Sequence, residues 1–416
     1  MLKTGSNSTY KYKIINKANE QLYFTYSFIF LVCLTILFSP LVSYVLSLII
    51  IWLYGPNIKR REMYFFVLLF CISFSLIVSS KAFDVSEADD FLNYFNDYYQ
   101  ITINTQNFSQ VLSQYSFGLE LGLPLIFMVI GILLPILTPH QLMFLLAFLF
   151  SMIFSTWLVN TCYVRHYKTL NHGYIIALAL ILLSLTSGSQ LVRQGISSAI
   201  LLFAISNRDL VLRSTFLFIA SIFHLTAIPI FLISIILLKY KWKGFTFLLS
   251  VLGIFFLIGF DSLTEFPELI KIAYYSKLEN AEISSVDIGT LKWLTVAVII
   301  GVFSAITKKT TDCRISNEVA TWTPFTLFFI ILFISFIQYP LISTRLTMIF
   351  SSLILGYLLS IFVLNSKFSL LRPVALVVML GLKLFTLLQF SEKGSGSYYW
   401  NEYDWIGLFP GYYLIK

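Results

Sequence analysis

Residues 63–80 read MYFFVLLFCISFSLIVSS, 18 positions without one charged side chain. A helix of that length rises about 27 Å, close to the ~30 Å hydrocarbon core of a bilayer. An open strand there would leave backbone groups unpaired in lipid, so the run is expected to be a transmembrane helix. Lys59, Arg60 and Arg61 stand just before it, and a basic cluster of this kind marks the cytoplasmic end of a span.

The same pattern extends in both directions. Residues 22–54 are apolar for 33 positions and are interrupted by Ser39 and Pro40. They form either two short spans turning at the proline or one long bent helix. The first 20 residues are polar and basic, and no convincing cleavage site follows the first apolar block, which reads as a retained membrane segment. Downstream, apolar blocks fall near 119–137, 141–163, 173–187, 191–206, 214–238 with a break near His224, 244–260, 290–306, 323–338, 341–364 and 373–389. The expectation is all-α: a polytopic integral membrane protein of roughly 11–13 transmembrane helices, forming a single transmembrane domain over 1–416.

Composition excludes a soluble domain. Hydrophobic residues make up 58% of the 416 and charged residues 12%, against about 25% charged in a soluble protein. The net charge of +8 sits in short clusters between apolar blocks, which sets membrane orientation and gives no reason to expect nucleic acid. Cys33, Cys71, Cys162 and Cys313 form no CxxC pair, the four histidines show no HExxH spacing, and there is no P-loop. No metal, disulfide framework or nucleotide cofactor is expected.

Two polar loops are acidic. Residues 81–117 carry Asp84, Glu87, Asp89, Asp90 and Asp97, and residues 261–289 carry Asp261, Glu265, Glu268, Glu279, Glu282 and Asp287. With the basic clusters inside, both loops fall on the outer face, provided that 119–137 adds no complete crossing. Gly118, Gly122, Pro124, Gly131 and Pro135 favour a re-entrant or surface-lying helix there.

Several polar residues near the outer ends of spans are candidates for chemistry. Arg193 and Gln194 enter an apolar block from the segment GSQLVRQGISS, residues 188–198. A buried guanidinium calls for an anionic partner, and its planar fork suits phosphate or carboxylate. The alternative is an arginine snorkelling to headgroups. Arg345, following Tyr339 and Pro340, poses the same question at the same side. Two arginines at one depth can clamp a diphosphate. Asp90, Tyr94 and Tyr98 are spaced by four, one stripe on a helix, suited to sugar hydroxyls and sugar faces or else to an interfacial aromatic belt. Glu120 heads an apolar helix as a general base, an arginine anchor or a helix cap. His224 lies mid-block beside Pro229, either at a ligand site or as a packing histidine.

In order and spacing these residues resemble the EpsG-like branch of the Wzy-type O-antigen, capsular and exopolysaccharide polymerases. The family's D-x3-Y-x3-Y pattern falls on Asp90, Tyr94 and Tyr98, and its glutamate-glycine motif on Glu120 and Gly122. Its R-Q-x-[ILV]-[AS] motif falls on Arg193, Gln194, Gly195, Ile196 and Ser197, its F-H-x-[ST]-[AS] motif on Phe223, His224, Thr226 and Ala227, and its late arginine on Arg345. Ser197 stands where alanine is usual, and the crowd of Glu87, Asp89 and Asp90 leaves open which acid matches the family's aspartate. The resemblance implies a polymerase on the outer face of a bacterial inner membrane. It would transfer a growing glycan from undecaprenyl diphosphate to the non-reducing end of another lipid-linked repeat unit. Catalytic roles would fall to Arg193, Asp90, Glu120, Arg345 and His224, and substrate contacts to Tyr94, Tyr98, Gln194 and Tyr339. Partners implied are lipid-linked repeat units, membrane lipids, a chain-length regulator and a flippase of the same pathway. The competing readings are a flippase or transporter of the lipid-linked oligosaccharide, a ligase or lipid-dependent glycosyltransferase, and a structural membrane protein.

Overall fold

The computed structural model describes residues 26–81, 90–103, 108–114, 118–165, 172–258, 313–336 and 340–389, and these residues form helices and short turns, with no β-strand among them. The loop at 261–289, the block at 290–306, Tyr339 and the tail from 391 lie outside the described residues, as do parts of the 81–117 loop.

The apolar stretch at 22–54 contains α1 (Tyr26–Phe38) and α2 (Pro40–Tyr54), separated at Ser39. Ser39 is extended and its hydroxyl accepts from the Val42 N–H, so it caps α2 while Pro40 occupies the first helical position, where no N–H is missed. Next come α3 (Arg60–Ser79), α4 (Asp90–Ile103), α5 (Phe108–Gln114), α6 (Gly122–Leu133) and α7 (Pro139–Arg165). They are followed by α8 (His172–Ile181), α9 (Leu185–Ser189), α10 (Val192–Ser206), α11 (Leu210–Phe223), α12 (Ala227–Tyr240) and α13 (Trp242–Ile258). The last helices are α14 (Cys313–Ser335), α15 (Pro340–Met348), α16 (Leu355–Asn365) and α17 (Leu371–Gln389). Four segments among the described residues are long and apolar enough to cross a membrane: α3, α7, α14 and the continuous run Arg345–Asn365. With the shorter apolar helices around them they make an all-α polytopic membrane protein.

Helix α6 has 12 residues, about 18 Å at 1.5 Å each, too short for a full crossing. It packs against α4, where Tyr98 meets Phe127 edge-on at 5.7 Å between ring centroids.

At the centre, α3 packs between α2 and α7 through small polar side chains. The Ser73 hydroxyl donates to Ser43 Oγ at 2.8 Å, and Cys71 Sγ lies 3.4 Å from Ser155 Oγ. Small residues let backbones approach closely where lipid supplies no hydrophobic drive between helices. One end of this bundle is marked by Arg60, bonded to Asn160 near the end of α7, and by Ser206 at the end of α10, which accepts from Trp157 Nε1 at 2.8 Å.

The apolar block at 173–187 is not one helix. It breaks after Ile181 and resumes as the single turn α9. Irregular backbone at membrane depth persists only where protein satisfies it, and here it is satisfied. Lys383 Nζ donates to the Leu183 carbonyl at 2.7 Å, the Ser184 N–H donates to the Ser352 carbonyl at 3.2 Å, and Ser184 Oγ accepts from the Ser187 N–H. Ser352 lies in a π-helical stretch, Ile349–Ile354, between α15 and α16. That widened turn departs from the α-helical bonding pattern, and its Ser352 carbonyl takes the bond from Ser184.

Candidate functional site

At the opposite end of α10 from Ser206, four separate elements bring polar side chains together. Gly118 adopts φ +81°, the left-handed region glycine tolerates, and turns the chain toward Glu120 just ahead of α6. Gly122 then starts α6 against Phe223, where a Cβ would come within 2.6 Å of the ring. Phe223 ends α11, and His224 leaves the helix in extended conformation (φ −159°, ψ 124°). The close approach of Gly122 therefore places Glu120 beside the break between α11 and α12. Replacing Gly122 with Ala is expected to push Phe223 aside and to cost about 1–3 kcal/mol, read as a lowered unfolding temperature of the detergent-solubilised protein.

Glu120 is 2% exposed, and both of its oxygens are engaged. Arg193 Nη1 donates to Oε2 at 2.7 Å. His224 Nδ1 lies 2.5 Å from Oε1, which also accepts the Leu225 N–H at 3.1 Å. Burial by itself drives this carboxyl upward in pKa. The hydrogen bond from His224, the Arg193 guanidinium and the Leu225 N–H outweigh burial and hold it below the ordinary carboxylate range. An ionised carboxylate accepts only, so Nδ1 carries the proton, and in the neutral ring Nε2 is then the acceptor nitrogen of His224.

Arg193 sits in the first turn of α10, with its guanidinium over the Tyr94 ring, 5.6 Å from Cζ to the centroid, and its Nε 3.4 Å from the Tyr94 hydroxyl. Its side chain keeps 20% exposure. The Ser197 hydroxyl, one turn further along α10, donates to the Ala220 carbonyl at 2.8 Å and locks α10 to α11 beneath the cluster. Gln194, 3% exposed, donates its amide to the Arg345 main-chain carbonyl. Its Oε1 is buried and has no hydrogen-bond partner among the described residues. Arg345 is half-buried on α15, and no carboxylate among the described residues pairs with its guanidinium.

Of the residues expected from sequence, Arg193, Glu120, His224 and Tyr94 share one cluster, and Gln194 joins Arg345 to its edge. Asp90 is the first residue of α4, one turn ahead of Tyr94. Tyr98 does not share the cluster. It is fully buried against Phe127, and its hydroxyl accepts the Leu137 N–H at 3.2 Å, so it holds α4 to the chain following α6 and presents no face to a sugar. Tyr339 lies outside the described residues. Sequence reading missed the Leu225 N–H, since a backbone donor has no residue-type signature, and it passed over Lys383, buried in an apolar block that it bridges to the α8–α9 break.

No curated protein and no solved structure matches the chain. The model of the EpsG family matches residues 64–405, a stretch that includes every element of the cluster. On that match the chain belongs to the EpsG family, a family of exopolysaccharide and Wzy-like polymerases.

Proposed function

We propose that this protein polymerises oligosaccharide repeat units carried on undecaprenyl diphosphate, moving the growing glycan from its lipid diphosphate to a hydroxyl at the non-reducing end of the next unit. The observation that carries this reading is the single buried carboxylate of Glu120, joined to a cation on one oxygen and to an imidazole on the other. One half of such a unit addresses a leaving diphosphate and the other an attacking hydroxyl.

In this reading His224 Nε2 takes the proton of the acceptor hydroxyl as the bond to the donor's anomeric carbon forms, and Glu120 fixes the imidazole through Nδ1. Proton uptake raises the charge of the Arg193–Glu120–His224 unit by one. That added positive charge faces the diphosphate whose bond to the sugar is breaking, and Arg345 and the amino end of α10 reinforce it. Such interactions strengthen in the transition state and so raise turnover as well as binding. Gln194 positions Arg345 through its carbonyl. Asp90, on the same helix as Tyr94, would contact acceptor hydroxyls. The site faces the periplasm or outer surface of a bacterial inner membrane, as the basic clusters at the other end of the bundle support. The protein is then one transmembrane domain with the loops at 81–117 and 261–289 outside. A flippase and a chain-length regulator of the same pathway would be its partners.

Removing the protein from a producing strain is expected to leave lipid carriers bearing single repeat units on the outer leaflet. Mass spectrometry of extracted lipids, with and without prior digestion of intact cells by a glycosidase, reads both length and sidedness. Single units trapped on the inner leaflet would instead indicate a flippase. Within the site, Tyr94→Phe keeps the ring beneath Arg193 and loses one long hydrogen bond, so polymer yield should fall by about 2- to 10-fold. Tyr94→Ala also removes the ring and should cost up to about another tenfold.

A further inference from the structure

Ser184, in the break between α8 and α9, is bonded in two directions. Its N–H donates to the Ser352 carbonyl at 3.2 Å, and its hydroxyl accepts from the Ser187 N–H at 3.3 Å. The first bond reaches the π-helical stretch Ile349–Ile354, which continues directly from α15 and so from Arg345. The second caps α9, and the Ser187 carbonyl lies against the first turn of α10, where a Cβ on Gly195 would come within 2.6 Å of its oxygen. Gly195 stands two residues after Arg193. Gln194 closes the circuit by donating its amide to the Arg345 carbonyl. Ser184 is thus joined to the helix of Arg193 and to the helix of Arg345, and those two helices are joined to each other.

What holds this circuit in place comes from outside it. The backbone leaves the helix after Ile181, and Lys383 Nζ, on α17, donates to the Leu183 carbonyl at 2.7 Å from 200 positions away. Lys383 is 6% exposed. An ionisable side chain buried at membrane depth is costly and marks function more often than packing. Here its donor is directed at the carbonyl one residue before Ser184, in the segment that leads through α9 into Arg193.

We propose that Lys383 is a positioning residue for the two arginines, a role that rests on the polymerase reading for the reaction it serves. It pins the Leu183 carbonyl, thereby sets Ser184, and through Ser184 keeps α10 and α15 in register. Two cations that face one diphosphate must hold their places as charge develops on it. A shift on the order of 1 Å at reacting groups can cost about 10²-fold in rate, even when the change lies far from the chemistry.

The test compares the full-length wild type in lipid nanodiscs with Lys383→Met, which fills much of the same space and loses the donor, and with Lys383→Arg, which restores one. Phenylglyoxal modification, followed residue by residue by peptide mass spectrometry, reads the arginines without any assay of activity. In Lys383→Met the rate at Arg193 should rise by about threefold or more as the guanidinium leaves Glu120. Arg213, bonded to the Asn207 carbonyl at the far end of α10, should not change. Elongation by the folded protein should lose about 10- to 100-fold in kcat, with KM for the lipid-linked unit within about threefold. Lys383→Arg should recover most of both losses. Equal rises at Arg193 and Arg213 would make Lys383 a general stabiliser of the bundle, and an arginine no better than methionine would show that the donor is not what matters; either result overturns the proposal. Should Lys383→Met fail to fold, Ser184→Ala takes its place, since it keeps the N–H to Ser352 and loses only the cap of α9. It should expose Arg193 selectively and lower kcat by about threefold or more, and the absence of both effects would overturn the proposal. Selective exposure of Arg193 by Lys383→Met in a protein that makes no polymer would overturn the polymerase reading and leave the positioning role standing. A working polymerase indifferent to Lys383→Met would do the reverse.

Discussion

Arg193→Ala is expected to abolish visible polymer, lowering the elongation rate by at least about 10²–10³-fold, the scale for losing one preorganised donor to developing charge. The reasoning rests on where the guanidinium lies: paired with Glu120 at 2.7 Å, laid over Tyr94, and still 20% exposed toward the site. The same substitution strands a buried carboxylate, which alone costs about 3–5 kcal/mol of stability. Arg193→Ala is therefore paired with the double variant Arg193→Ala/Glu120→Gln, in which no charge is stranded. The double variant should recover the unfolding temperature in detergent and elongate more slowly than Glu120→Gln alone, the variant against which it is compared. A double variant as active as Glu120→Gln alone would show that Arg193 serves the fold alone. Arg193→Lys should also fail to polymerise, because an ammonium cannot lie flat on the Tyr94 ring while reaching both carboxylate and phosphate.

His224→Ala is expected to lower elongation by about 10²–10⁴-fold, the usual contribution of a positioned general base, while binding of the lipid-linked unit persists. Glu120→Gln tests the same step from behind. An amide can turn its NH2 toward Nδ1, which then gives up its proton and leaves Nε2 protonated, in the wrong tautomer to accept one. Its loss should approach that of His224→Ala, and combining the two should add little, since residues acting as one unit are not additive. Single-turnover assays on preloaded enzyme separate this effect from binding. A full-rate Glu120→Gln would sink the assignment of His224 as base.

Much of the fold is legible in the apolar blocks because a membrane span must satisfy its own backbone, so length and hydropathy carry the signal. The break at His224 is legible from a histidine and Pro229 inside one block, and the short α6 from glycines and prolines at 118–135. The break between α8 and α9 is not legible. Leu182 and Leu183 are as apolar as the residues before them, and what licenses the irregular backbone at 182–184 is Lys383 and Ser352, some 170 to 200 positions away. The candidate site shows the same limit. Its arginines, glutamate and histidine stand out as polar residues in apolar surroundings, yet sequence left Glu120 open as base, anchor or cap. The structure places it as the anchor of Arg193, 73 positions distant, and as the partner of His224. Tyr98 shows how spacing misleads: a stripe of period four also describes a face that packs inward against α6.

The most direct test of the account is to reconstitute the purified protein in liposomes with one lipid-linked repeat unit as both donor and acceptor, and to follow products by gel sizing and released lipid by chromatography. The account predicts a ladder of lipid-linked glycans from the wild type, with one undecaprenyl diphosphate released per unit added, and neither product from the His224→Ala protein. Movement of intact repeat units across the bilayer with no ladder would contradict it.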